Sequence, residues 1–215
     1  MSQQTAPTQI TGHPGVAIQH AVHAAVRRDI DRLVGALGSD RAPAHAIRDY
    51  AAEFLFQLHH HHTFEDAAIW PLLGERLGDP VTSLLDRNLA EHGDVVAAVD
   101  AFTEAIGRLD GDVGDALAAA ESMRDVVTRH LAHEEADVIP LIPEAFTLED
   151  VGRFQAESAV ENPPERFLPW LLESAPEPVA SGFRTMLPAP VLELLTTSWM
   201  PVRQSTVDAL LDPVR

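Results

Sequence analysis

One stretch occurs twice in this chain and limits what it can fold into. Residues 61–72 read His-His-Thr-Phe-Glu-Asp-Ala-Ala-Ile-Trp-Pro-Leu, and residues 130–141 read His-Leu-Ala-His-Glu-Glu-Ala-Asp-Val-Ile-Pro-Leu. Both fit His-x-x-x-Glu-acid-Ala-x-aliphatic-x-Pro-Leu, and they align without a gap: His61 falls on His130, Glu65 on Glu134 and Pro71 on Pro140. The same register carries His23 onto His92 and Asp31 onto Asp100. A repeat of this kind implies two similar halves, and it picks out side chains that ligate metals.

The segments between the motifs read as helices. The first is expected from Pro14 to about Leu37, with Ile18, Val22, Val26, Ile30, Leu33 and Leu37 on one apolar face and His23 at its edge. Proline suits its first turn, and Gly38 marks its stop. A second helix opens at Ser39 or Asp40 near Pro43 and runs past Trp70, where Pro71 is expected to kink or end it. A third starts with Asp79 as cap and Pro80 at the first position, and carries His92 at its middle. Residues 110–114 read as a turn, and a fourth helix extends from about Asp115 to Pro140. No alternating strand pattern of useful length is present. The chain is therefore predicted to be all-α: an antiparallel up-down four-helix bundle over residues 13–145, with a two-fold relation pairing the first helix with the third and the second with the fourth.

Residues 146–215 form a proline-rich C-terminal helical extension. Thr147-Leu148-Glu149-Asp150 resembles a helix start, and short helices fit between the prolines, such as 167–173 and 191–199. Phe167, Trp170, Leu171, Phe183, Leu194, Leu195 and Trp199 make it too apolar for a flexible linker. It is expected to pack on the bundle or on a second subunit, and a homodimer is one expectation.

Composition narrows the function. The formal net charge is −18, which argues against nucleic acid and anionic membranes as partners. There is no cysteine, which excludes thiolate metal sites, iron–sulfur clusters and thiol catalysis. The polar first residues do not read as a secretory signal, and no apolar run is long enough to span a bilayer. A cytoplasmic location is the expectation. No nucleophile triad, phosphate loop or dinucleotide fingerprint is found.

On a helix, residues i and i+4 lie one above the other, roughly 5–6 Å apart at Cβ. His61 and Glu65 can thus reach one metal or a close pair of metals from one face, and His130 and Glu134 can do so from another. His23 and His92 complete a set of four imidazoles and two carboxylates. Two buried carboxylates without a cation would each cost several kcal/mol, which a metal removes. Histidine and carboxylate without thiolate suit iron, manganese or zinc. Asp66 and Glu135, next to the glutamates, either accept hydrogen bonds from the distal nitrogens of those histidines or are exposed helix charges. His13, His20, His45, His59, His60, His62 and His133 have no histidine at the corresponding position of the other half, and are assigned to the surroundings of the site or to the surface. His20 and His62 are the best placed of these to join the ligands.

The segments around His23 (Val22 to Asp29), His61 to Leu72, Glu91-His92 and His130 to Leu141 resemble the hemerythrin-like, or HHE cation-binding, family. The resemblance covers about residues 13–145. It implies a four-helix bundle holding a non-haem di-iron centre with an oxo or hydroxo bridge, zinc or manganese being the alternatives. Its ligand pattern falls on His23, His61, Glu65, His92, His130 and Glu134. Oxygen-carrying hemerythrins place two histidines four apart on the third helix, where this chain has Asn88, His92 and Val96, and an acid five after the fourth-helix histidine, which would be Glu135. The sequence is closer to HHE-type members. The implied ligand is dioxygen, peroxide or nitric oxide, and the implied activity, if any, is catalase-like peroxide breakdown. The alternatives are a non-catalytic iron or oxygen sensor and a structural metal-binding bundle.

Overall fold

A computed structural model describes residues 12–39, 41–109 and 113–212. Asp40 and most of the expected 110–114 turn fall outside these ranges, as do the first eleven residues. The described residues contain helices and no strand. The long helices are α1 (Pro14–Leu37), α2 (Ala44–Phe64), α4 (Asp79–Gly107) and α5 (Val113–His133), and α3 (Trp70–Leu77) follows α2. Helix α1 packs on α2 and α5, and α4 packs on α5 and α2, so the four enclose a common interior. No helix among the described residues is long and apolar enough to cross a membrane.

Three starts differ from expectation: α2 begins at Ala44, with Pro43 before it and later than the expected opening at Ser39 or Asp40, α4 begins one residue early and α5 two residues early. Asp79 is the first helical residue of α4, and Gly78 precedes it at φ 71°, a left-handed backbone value that only glycine takes easily. Gly114 already lies in α5.

The larger difference lies at the repeated proline. Helical backbone does not end at Pro71. The chain opens into a π turn over Glu65–Ile69 and resumes as α3, with Pro71 in its first turn. The second motif also opens, over Glu134–Val138, then tightens to a 3₁₀ turn over Ile139–Leu141 and the short α6 (Ile142–Ala145). Trp70 donates its amide to the Glu65 carbonyl five residues back, and Ile139 donates to Glu134. Proline lacks an N–H, and its ring collides with the carbonyl four residues earlier. Opening the preceding turn by one residue removes that collision while the other backbone bonds survive. A third π turn, Leu195–Trp199, precedes Met200-Pro201 in the same manner.

Beyond α6 come α7 (Leu148–Glu161), α8 (Pro164–Leu172), α9 (Glu177–Met186), α10 (Ala189–Leu194) and α11 (Met200–Leu211). The Thr147 cap is a reciprocal box: its hydroxyl accepts from the Asp150 amide, and the Asp150 carboxylate accepts from the Thr147 amide. Helix α11 packs on α2, and α8 on α1. Leu168, Trp170, Leu171, Val179, Phe183, Val207 and Leu210 share one apolar cluster with Val26, Ile30, Leu33, Phe54 and Leu58 of the first two helices.

A buried polar knot fixes this packing. Asp29 has no exposed surface. Its carboxylate accepts from Tyr50 at 2.7 Å, Trp170 Nε1 at 2.9 Å, Arg28 Nε at 2.7 Å, and Arg203 Nη2 at 3.1 Å to each oxygen. Glu173 accepts from Arg203 at 2.8 Å and also from Arg32. Burial alone would raise the Asp29 carboxyl, but Arg28, Arg203 and Tyr50 outweigh it and hold it below its ordinary value. Burial and the Asp29 charge push the Tyr50 hydroxyl up to about 12. Because the folded value of Asp29 is depressed, its contribution to stability is present above the usual carboxylate range and lost as pH falls through the folded value. Arg203→Met is expected to destabilise the protein by about 3 kcal/mol, since it leaves a buried carboxylate without one of its cations. Urea denaturation measures this, and an unchanged midpoint would show that the knot does not hold α11.

Candidate metal centre

The repeated motif brings its side chains to one level of the interior. Toward one end of the bundle lies the main apolar cluster, with Val22, Leu58, Val95, Val127 and Leu131. Toward the other lies a second cluster of Trp70, Leu73, Val81, Val138, Ile139 and Phe146. The polar groups fall where α2 and α5 pass between the two. His23 is fully buried, as are Glu65 and Glu134, while His61, His92 and His130 keep only a few per cent exposure. All six residues singled out by the repeat therefore meet inside the protein.

They form two groups. Ligand-type atoms of His23, His61, Glu65 and Glu134 lie within 4.8 Å of one another, as do those of His62, His92 and His130. The glutamates link the groups. Glu134 Oε2 is 3.3 Å from His23 Nε2, and Glu134 Oε1 is 3.5 Å from His130 Nε2 and 3.7 Å from His92 Nε2. Glu65 Oε1 is 3.5 Å from His61 Nδ1, and Glu65 Oε2 is 3.8 Å from His92 Nε2.

His62 is the residue that the repeat missed. Its ring centroid is 4.5 Å from that of His92 and 5.0 Å from that of His130. Its counterpart in the second copy is Leu131, so a symmetry criterion discards it. Helix geometry would have kept it. At about 100° per residue, Glu65 stands about 40° round the helix from His61, and His62 about 100° in the same sense. The carboxylate thus sits between the two imidazoles. His20 stays outside, with half of its side chain exposed and 3.9 Å from Glu135. Gln19 takes the inward position, and its amide donates to Glu65 Oε1 at 2.7 Å.

The outer nitrogens are held by carboxylates. His23 Nδ1 pairs with Glu135 at 3.0 Å, His92 Nδ1 with Asp66 at 2.8 Å, and His130 Nδ1 with Glu91 at 3.2 Å. Asp66 and Glu135 hold equivalent places in the two copies, as do His23 and His92, so each motif's acid orients a histidine of an outer helix. An Nδ1–H donated to a carboxylate fixes the tautomer that points the Nε2 lone pair inward. Arg27 also donates to Glu135, at 2.6 Å. The Glu135 carboxyl falls to about 2, through its bonds to His23 and Arg27.

The inward atoms lack hydrogen-bond partners. Nε2 of His23, His61, His62, His92 and His130, Oε2 of Glu65 and both oxygens of Glu134 are buried and unsatisfied. Such atoms are rare in native proteins and costly to leave unpaired. Burial and the neighbouring imidazoles push His61 and His62 well down, toward the neutral form. Burial and Glu134 push Glu65 up. Burial works against Glu134 too, but the adjacent imidazoles of His23, His92 and His130 hold it down. Imidazole nitrogens and carboxyl oxygens converging at this spacing match the donor set of a divalent or trivalent cation.

The hemerythrin HHE cation-binding domain model matches residues 15–142. The chain belongs to that family. No curated protein and no solved structure gives a significant match. The matched span contains every interior histidine and glutamate described above. It is a hemerythrin-like cation-binding domain whose His/Glu cluster can bind metal.

His62→Ala is expected to lower the metal content per chain, and His20→Ala to leave it at the wild-type level. Elemental analysis of the purified variants decides this, and equal loading of both would remove His62 from the set.

Proposed function

We propose that the protein holds two iron ions between Glu65 and Glu134 and binds or reacts with dioxygen, peroxide or nitric oxide there. His23 and His61 would serve one ion, and His62, His92 and His130 the other. The convergence of unsatisfied buried atoms, five imidazole nitrogens and three carboxylate oxygens, carries this reading. Two ions suit the two groups better than one, because together they present seven ligand-type side chains, more than about six positions on one ion could take. Thiolate is absent, and carboxylate-bridged pairs are a recurrent use of helical bundles, which favours iron.

Counting positions locates the reactive side. Two six-coordinate ions offer about twelve sites. Five histidines, two bridging carboxylates and one bridging oxygen would occupy about eleven of these. The one left over falls on the side with only two histidines. A bound di-iron pair would supply an electrophilic site for a small oxygen or nitrogen oxide ligand, and the electrons to reduce it. The chain's own groups do the rest. Asp66, Glu91 and Glu135 would keep His92, His130 and His23 in the inward tautomer, Gln19 orients Glu65, and Leu58 and Leu131 pack in the apolar cluster beside the centre.

Aerobic loading with ferrous salt is expected to give two irons per chain and the near-ultraviolet absorption of a bridged ferric pair. Glu134→Ala is expected to lose at least half of the metal and that absorption. Peroxide consumption above that of the same free iron would establish turnover. A wild-type protein that takes up no iron would overturn the assignment, and one that binds only zinc would leave a structural role.

A further inference from the structure

A cavity of about 290 Å³ runs from the candidate centre into the C-terminal helices. Gln19, His61 and Glu65, all buried, form its inner wall. Met186, 62% exposed, also lines it, so the cavity reaches the surface beside α9. Elsewhere the walls are largely apolar: Val22 of α1, Phe64 of α2, Phe154 of α7, Phe167 and Leu168 of α8, and Phe183 of α9. The C-terminal helices thus build more than half of a chamber that the bundle alone would leave open.

The chamber is far larger than a diatomic ligand needs. A dry apolar cavity of about 150 Å³ accepts benzene, so this one has room for roughly a dozen non-hydrogen atoms. Its chemistry selects an uncharged guest. No arginine lines it and the chain has no lysine, so its walls hold no guanidinium or ammonium to pair with an anion. Three of its four amides are already engaged: Asn162 donates to Gln57 at 2.7 Å, Gln57 to Glu53 at 2.8 Å, and Gln19 to Glu65; the fourth, Gln155, is half-buried on α7. A polar guest would find few free partners, whereas an alkyl or aryl body would bury its whole surface at about 25 cal/mol per Å².

We infer that this cavity binds an uncharged apolar organic molecule of about a dozen non-hydrogen atoms, such as a medium-chain alcohol, aldehyde or alkene, with one end against His61 and Glu65. That end meets the two-histidine side of the site, where the di-iron reading leaves its open position. The orientation toward a metal rests on that reading, and the cavity does not.

The test is calorimetric titration of the iron-loaded full chain with 1-decanol and with decanoate. The wild type is expected to bind one 1-decanol per chain, more tightly than decanoate, with a shift in the iron absorption. Ala159→Phe, which fills the cavity from α7, a helix that carries none of the clustered histidines, is expected to weaken 1-decanol at least tenfold with iron content and spectrum unchanged. The milder Ala159→Leu should weaken it by a smaller factor and guards against misfolding of the larger variant. No binding by the wild type, preference for decanoate, or indifference to both substitutions would overturn the inference. Binding of 1-decanol by a chain that takes up no iron would retain the cavity and reject the di-iron centre.

Discussion

Glu65 and Glu134 face one another in the interior without exposed surface, and much of the molecule follows from holding two carboxylates there. The protein's own cations do not reach them. The nearest arginine contact in this region, Arg27, is spent on Glu135 at the rim. The surrounding imidazoles cannot all be positive, because they crowd each other: His61 and His62 are pushed toward neutrality by burial and by their neighbours. Two buried carboxyl groups ringed by imidazole nitrogens without other partners are costly by themselves and well matched to metal ions. The donors outside the ring complete the arrangement, because each carboxylate on an Nδ1 raises the basicity of the nitrogen that faces in.

The backbone makes the same accommodation in each half. The π turns begin at Glu65 and Glu134, the two glutamates themselves, and end just before the residue that precedes proline. The motif's Pro is therefore tied to its Glu through the backbone: the opening precedes the proline, and the Glu carbonyl takes the bond across it. The third π turn stands in the same place ahead of Met200-Pro201, on elements that carry none of the clustered histidines and glutamates, whereas Pro169 sits inside α8 without such an opening.

How far the sequence revealed this depended on whether a feature was local or symmetric. The four helices were visible in the helical spacing of their apolar stripes, and the six interior residues in the gapless alignment of the two copies. His62 stayed outside the six and level with His20, because the halves are unequal at that point, Leu131 standing where a second histidine would be. The pairing of Asp31 with Asp100 went the other way: it obeys the repeat, yet both side chains are exposed. The acid that matters in α1 is Asp29, whose counterpart is Ala98. Its role depends on Trp170 and Arg203, which lie 141 and 174 residues further along the chain, a separation at which no periodicity gives warning. The apolar residues of the C-terminal region showed that it must be covered, and only the coordinates show that it joins the core of α1 and α2.

The inequality between the halves is also where the site acquires a direction. A perfect duplication would surround two ions identically, and neither side would be the preferred approach. His62 breaks that equivalence by closing the side of His92 and His130, and the helices after residue 146 break it again by extending a chamber to the side of His61. These two departures lie on different elements and have different chemistry, one an added donor and the other an added wall. On the di-iron reading proposed above, both would leave the same face of the centre open. The repeat supplies the six shared ligand-type side chains; the residues that violate it, together with the extension that lies outside it, would then decide what can reach them.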